Sequence, residues 1–151
     1  MIRFLPLLAL IPWPLMAQDL SVLHGQWAGE GAIQRGDEPA ERFQCRITLR
    51  EIDAAQTFMT GRCATAQASR SFQYMLIDGG NGSVRAENRA PVEDDLPAAM
   101  QGRLAADGVR IADGDAALFE LRRSGAEMLF RIEGEENGQH AVGTVVMAPR
   151  G

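Results

Sequence analysis

The chain has few of the residues on which catalysis and metal binding usually depend. Its 151 residues include two histidines, two cysteines and no lysine. Common catalytic motifs are missing as well: there is no nucleophile elbow, no phosphate-binding loop, no His-Glu-x-x-His and no Cys-x-x-Cys. The sequence therefore predicts a protein that is not an enzyme and that has neither a metal site nor a cofactor.

The charge balance argues against nucleic acid as a partner. All 15 basic residues are arginine, and 20 acidic residues bring the formal net charge to −5. Proteins that bind nucleic acid need a basic face for the phosphates. An acidic excess of this size mainly supports solubility.

Long apolar runs are absent beyond the first residues of the chain. The start combines Arg3, a mostly apolar run from Phe4 to Leu15 and the small residue Ala17, which is the pattern of a secretory signal peptide. The run is short for a membrane helix, and its prolines would break one. We therefore expect a signal peptide over 1–17 with cleavage near Ala17, and a periplasmic or secreted domain over 18–151 with no membrane span.

What the sequence does contain is alternation of polar and apolar residues. The run 42–50 alternates strictly, as a half-buried strand does, and a second run follows at 57–65. A hairpin whose paired residue numbers sum to 108 places Cys45 opposite Cys63. Two cysteines in an exported chain predict one cross-strand disulfide, and no further Cys or His cluster is available to complete a metal site.

The last third of the chain indicates two more hairpins. A turn at Ser124-Gly125, with pairs that sum to 249, sets Phe119 opposite Phe130 and Arg122 opposite Glu127. The next turn, an Asn-Gly pair that is a strong tight-hairpin signal, gives pairs that sum to 275. Three consecutive strands then share one apolar face.

That second hairpin also fixes the expected position of one histidine. The turn at Asn137-Gly138 sets Phe130 opposite Val145 on the apolar face. His140 then lies opposite Glu135 on the other face, which predicts an exposed histidine beside a carboxylate.

No helical pattern competes with strands after the expected signal peptide. Glycine, aspartate and asparagine turns separate about 8–10 short strands, each with a single apolar face. A sheet closed on itself leaves no sticky edges. The sequence thus predicts an all-β fold, a single antiparallel up-and-down β-barrel with one cross-strand disulfide. A two-sheet sandwich is the alternative.

Large apolar side chains converge on the expected interior. They either form a packed core, as in small barrels, or line an apolar cavity in which methionines adapt to a flexible guest. Short strands favour the packed core. The candidates for cavity lining are Trp27, Phe43, Met59, Phe72, Tyr74, Met100, Phe119, Met128, Phe130 and Met147.

The tripeptide Gly25-Gln26-Trp27 resembles the Gly-x-Trp signature of the lipocalins, which are calycin-type barrels. In that family the tryptophan closes one end of the barrel and packs under an arginine from the last strand. The resemblance implies a lipocalin-like barrel, with Arg150 in the role of that arginine.

Two narrower resemblances concern the same region. The stretch Gly25–Gly31 is similar to the start of nitrobindin-type haem barrels, and the resemblance implies a histidine ligand near the last strand. His140 is the only candidate, but the predicted register places it outside the barrel. The order of Leu23–Trp27, Cys45–Leu49 and a later cysteine is similar to periplasmic metalloprotease inhibitors, which insert an N-terminal arm into the protease.

Most of the chain from residue 18 onward resembles uncharacterised exported proteins of proteobacteria, whose second cysteine lies in an Arg-Cys-Ala sequence like that around Cys63. The leading hypothesis is a non-enzymatic exported barrel that binds a small apolar ligand or a protein partner. The alternative is a periplasmic protease inhibitor that acts through its N-terminal arm, residues 18–24.

Overall fold

The computed structural model describes residues 19–151, so the expected signal peptide over 1–17 lies outside the described residues. A short 3₁₀ helix, Leu20–Leu23, precedes ten antiparallel strands that form one closed barrel. Each strand pairs with its neighbours in sequence, and β1 pairs with β10 to close the sheet. The strands are β1 (Gly25–Arg35), β2 (Glu41–Glu51), β3 (Gln56–Ala64), β4 (Ser69–Asp78), β5 (Ser83–Asn88), β6 (Ala99–Ala105), β7 (Gly108–Asp113), β8 (Ala117–Ser124), β9 (Glu127–Glu136) and β10 (Gln139–Pro149).

The barrel confirms the predicted fold class, with a strand count at the upper end of the expected range. Alternate residues of each strand face the interior because side chains alternate across a sheet. Between residues 19 and 151, no helix has the length and apolar character needed to cross a membrane.

The predicted hairpin of β2 and β3 is confirmed. Cys45 lies opposite Cys63, and their sulfur atoms are bonded at 2.08 Å. Both cysteines are buried and face the interior. The disulfide therefore joins two strands from the inside of the barrel wall.

The predicted register of β8 and β9 is wrong by two residues. Phe119 lies opposite Ile132 rather than Phe130. The turn occupies Gly125-Ala126, where the glycine takes a positive φ of 59° that suits its missing side chain. A shift of two residues keeps every side chain on its predicted face, so the error leaves the core pattern unchanged.

The shifted register also corrects one predicted ion pair. Arg122 lies opposite Leu129 and not opposite Glu127. Its charged neighbours are Asp107, at 3.0 Å, and Glu120, at 3.7 Å. These partners belong to strand β8 itself and to the turn before β7.

The β9–β10 hairpin follows the predicted register. Asn137 and Gly138 have φ values of 52° and 77°, as a tight turn of this kind requires. Phe130 consequently lies opposite Val145 in the core. His140 lies on the outer face, where its Nδ1 is 3.3 Å from a carboxylate oxygen of Glu135.

One end of the barrel is closed by the chain that leads into β1. Leu20 and Leu23 are buried there, and the indole Nε1 of Trp27 donates a hydrogen bond to the Leu23 carbonyl oxygen over 2.9 Å. The guanidinium of Arg123 lies 4.9 Å from the centre of the Trp27 ring and donates to the Val22 carbonyl oxygen. The pairing of a tryptophan with an arginine resembles the lipocalin arrangement.

The identity of that arginine corrects the sequence expectation. Arg150 lies after the last paired residue of β10, and its backbone N–H donates to the Gln26 carbonyl oxygen over 2.7 Å. Arg123 instead lies on the inward-facing side of β8, at the end that the 3₁₀ helix covers. The arginine that packs on the Trp27 ring is therefore Arg123 of β8 and not Arg150.

Candidate functional site: a cup at the open end

The end of the barrel opposite the 3₁₀ helix contains a cavity of about 220 Å³. We call this cavity the cup. Its walls come from the ends of β1, β2, β3, β4, β8, β9 and β10 and from the loop 89–98. The apolar side chains around it are Ile33, Phe43, Phe72, Leu96, Phe119 and Ile132.

Two glycines leave room for aromatic rings in the wall of the cup. A Cβ atom at Gly61 would overlap the ring of Phe72, which lies opposite it on β4. A Cβ at Gly143 would lie 2.7 Å from Cε1 of Phe43, too close for real atoms. These rings therefore occupy space that side chains of β3 and β10 would otherwise take.

Only part of the predicted cavity lining reaches the cup. Phe43, Phe72 and Phe119 lie around it. The ring centres of Phe72 and Phe119 are 5.2 Å apart, a normal distance for an aromatic pair. Seven other candidates are buried in the core away from the cup: Trp27, Met59, Tyr74, Met100, Met128, Phe130 and Met147. The interior is thus packed along most of its length, and binding by the three cup residues stays a prediction.

An ion triad lies on the rim at inward-facing positions. The Arg35 guanidinium contacts Glu136 at 2.8 Å through Nε and Glu41 at 3.3 Å through Nη1. The arginine side chain is only 16% exposed. Its hydrogen bond with Glu136 raises the pKa of Arg35 above the ordinary value, so the guanidinium keeps its charge.

The loop 89–98 covers another part of the rim. Leu96 packs against the core, and the Tyr74 hydroxyl donates to the Pro97 carbonyl oxygen over 2.8 Å. Arg70, at an inward-facing position of β4, contacts Asp95 at 3.1 Å. The loop is therefore attached to the wall at three adjacent residues.

Burial raises the pKa of the Tyr74 phenol well above its ordinary value, and the nearby carboxylates of Asp94 and Asp113 add to the effect. Tyr74 consequently stays protonated and remains a donor to Pro97. Asp94 itself accepts hydrogen bonds from the side chain of Asn88 and from the backbone of the loop.

The sequence did not predict the ion triad, nor the contacts that hold the loop 89–98 against the wall. Arg35 lies beyond the apolar residues of its strand, yet it continues the inward-facing series of Trp27 and Ile33 along β1. Glu41 continues the series of Phe43 in the same way. Extending the period of two beyond the apolar residues would have found both charges.

Over the range 19–151, no group of three or more His, Cys, Asp or Glu side chains is arranged to hold a metal ion. The cup combines an apolar surface with a charged rim.

Three solved structures have the same type of barrel. Rv2717c from M. tuberculosis is 15% identical, with a TM-score of 0.61, and the match covers 87% of this chain and 94% of that one. The S-type phycobiliprotein lyase CPES from Guillardia theta is 8% identical, with a TM-score of 0.59 and coverage of 87% and 89%. A protein of unknown function from the DUF3598 family of Nostoc punctiforme is 12% identical, with a TM-score of 0.52 and coverage of 87% and 49%.

These likenesses show the fold, a lipocalin-like barrel of the calycin type. No family model and no curated protein sequence matches the chain. The narrower resemblances to proteobacterial exported proteins, haem barrels and protease inhibitors therefore gain no support from sequence.

The prediction that the protein is not an enzyme is overturned by the likeness to the phycobiliprotein lyase. A barrel of this architecture carries the name of an enzyme, so neither the fold nor the missing motifs exclude catalysis. Motif searches test for particular catalytic residues. They do not detect a site that acts by holding a reactive ligand in a fixed orientation.

Proposed function

We propose that the protein binds a small apolar molecule, or the apolar part of a larger one, in the cup. Apolar walls with a few polar groups at the entrance are typical of ligand sites. The volume of about 220 Å³ equals that of about seven liquid waters. A single aromatic ring or a short alkyl group suits this space.

The observation that carries the proposal is the pairing of glycines with aromatic rings. Phe72 lies over Gly61 and Phe43 lies against Gly143, so both rings are accommodated within the wall. The cup stays open although the interior beneath it is packed with buried side chains. Of the two kinds of partner that the sequence predicts, this geometry favours a small ligand.

The proposal includes an exported location. A disulfide is typical of an oxidising compartment, and Cys45 and Cys63 form one. Together with the signal-like start of the sequence, it supports a periplasmic or secreted protein.

Protease inhibition by the N-terminal arm finds no support. Leu20 and Leu23 are buried against the protein's own barrel, and Arg123 donates to the Val22 carbonyl oxygen. His24 contributes a further contact, 2.9 Å from its Nε2 to the hydroxyl of Thr57. An arm used in this way would have to leave the barrel before it entered a protease.

Titration of ¹⁵N-labelled protein with benzyl alcohol tests the proposal. We expect saturable NMR shift changes at amides around the cup, such as those of Gly134 and Ala141. Ala117→Phe fills the cup from an inward-facing position and abolishes the changes. Ala112→Phe adds the same ring on the outer face of β7 and preserves them. Shift changes that are absent, or that persist in the filled variant, contradict the proposal.

A further inference from the structure

The ion pairs around the mouth of the cup are not balanced in charge. Arg35 is shared by Glu41 and Glu136, and Arg70 contacts Asp95. Two guanidinium groups thus face three carboxylates. The mouth carries an excess negative charge within a chain that is itself acidic.

Arg35 is poorly placed to receive an anionic ligand. Carboxylates contact both its Nε and its Nη1, and little of the side chain is exposed. An anion that bound at Nε or Nη1 would have to displace Glu136 or Glu41 and leave that carboxylate without its partner. Breaking a partly buried ion pair in this way costs more than an exposed contact returns.

A cation can bind at the mouth without displacing an existing ion pair. Glu136 is about one-third exposed at the mouth and has a second carboxylate oxygen besides the one that Arg35 contacts. The faces of the Phe43, Phe72 and Phe119 rings carry partial negative charge and attract cations as well. The rim and the wall of the cup therefore favour the same sign of ligand charge.

We infer that the cup selects ligands in which a positively charged ammonium group adjoins a small apolar group, and that it discriminates against carboxylates of the same size. This inference rests on the proposed function and adds the class of ligand. The apolar group lies among the phenylalanine rings, and the ammonium lies at the mouth beside Glu136.

Three probes that share one aromatic ring test the inference: benzylammonium, benzyl alcohol and phenylacetate. Binding to the intact protein is followed by the amide shifts of the cup residues at low ionic strength. We expect benzylammonium to bind about threefold more tightly than the alcohol, as suits one partly exposed ion pair. Phenylacetate binds more weakly than the alcohol, and added salt narrows both differences.

A matched pair of variants tests whether the preference for a cation comes from Glu136 at the mouth. Glu136→Gln removes one charge from the mouth and lowers the ratio of benzylammonium affinity to benzyl alcohol affinity about threefold. Glu127→Gln removes one charge from the same strand at the closed end and leaves this ratio unchanged.

The outcomes separate the inference from the proposed function. If none of the three probes shifts the cup amides, the proposed function fails and the inference fails with it. If benzyl alcohol binds in the cup but phenylacetate binds as tightly as benzylammonium, ligand binding stands and the inference is overturned. Equal effects of Glu136→Gln and Glu127→Gln also overturn it.

Discussion

The phenol of Tyr74 donates a hydrogen bond to the carbonyl oxygen of Pro97 over 2.8 Å, and this bond fastens the loop 89–98 to the wall of the barrel. Tyr74 is fully buried, and the loop residue Leu96 packs against the core. This hydrogen bond exists only while the Tyr74 phenol keeps its proton.

The tyrosine predicts a distinctive alkaline titration. Because folding raises the pKa of Tyr74, the native protein retains a proton that the unfolded chain releases near pH 10. The free energy of unfolding should consequently fall as pH rises above about 10. Tyr74 is the only tyrosine, so the ultraviolet absorbance of tyrosinate reports on it alone. An absorbance midpoint near pH 10 in protein that circular dichroism shows to be folded would contradict the assignment.

Reduction of the disulfide should lower stability without abolishing the fold. The Cys45–Cys63 bond joins residues 18 apart in sequence, and a closed loop of that size contributes about 3 kcal/mol in the chain-entropy estimate. Urea unfolding with and without dithiothreitol measures the difference. A Cys45→Ala/Cys63→Ala double variant is the control, since the reductant should not affect it. Identical unfolding of oxidised and reduced protein would show that the bond does not stabilise the barrel.

Two adjacent arginines at the closed end should contribute unequally to the stability of the barrel. Arg123→Ala removes the contact with the Trp27 ring and the hydrogen bond to Val22, and should lower the free energy of unfolding by about 2 kcal/mol. Arg122 lies on the outer face in exposed ion pairs, so Arg122→Ala should cost at most about 1 kcal/mol. Urea unfolding measures both values, and equal costs would rule out a special role for Arg123.

The missing side chain of Gly61 gives the Phe72 ring its space in the wall of the cup. A methyl group at Gly61 collides with the Phe72 ring, so Gly61→Ala should lower the free energy of unfolding by about 1–3 kcal/mol and disturb the cup. A methyl group at Gly134, also inward-facing at the cup, meets its nearest neighbour at an ordinary 3.6 Å. Thermal unfolding should distinguish the two variants. If Gly61→Ala is as stable as Gly134→Ala, the ring does not depend on the glycine.

The alternation of residues sufficed to predict which side chains face the interior. It predicted the Cys45–Cys63 pair because a loop of fixed length and two cysteines left one good register. It failed by two residues between β8 and β9, because such a shift preserves every face. The turn conformation at Gly125 decides between the two registers, and a pattern of apolar residues contains no information on it.

The site was less predictable than the fold. The same phenylalanines and methionines fit a packed core or a hollow barrel, and only the packing distinguishes the two. Arg35 and Glu41 were not predicted to meet, because both lie beyond the apolar residues from which the strands were recognised. Their contact depends on how closely the barrel brings β1, β2 and β9 together at one rim.

A crystal structure of the protein soaked with bromobenzene tests the central claim most directly. The probe is neutral and has the size of one aromatic ring, and the anomalous scattering of bromine marks its position. We predict a bromine peak within the cup, in contact with the rings of Phe43, Phe72 and Phe119. A cup that holds only water while bromine is found elsewhere would contradict the account.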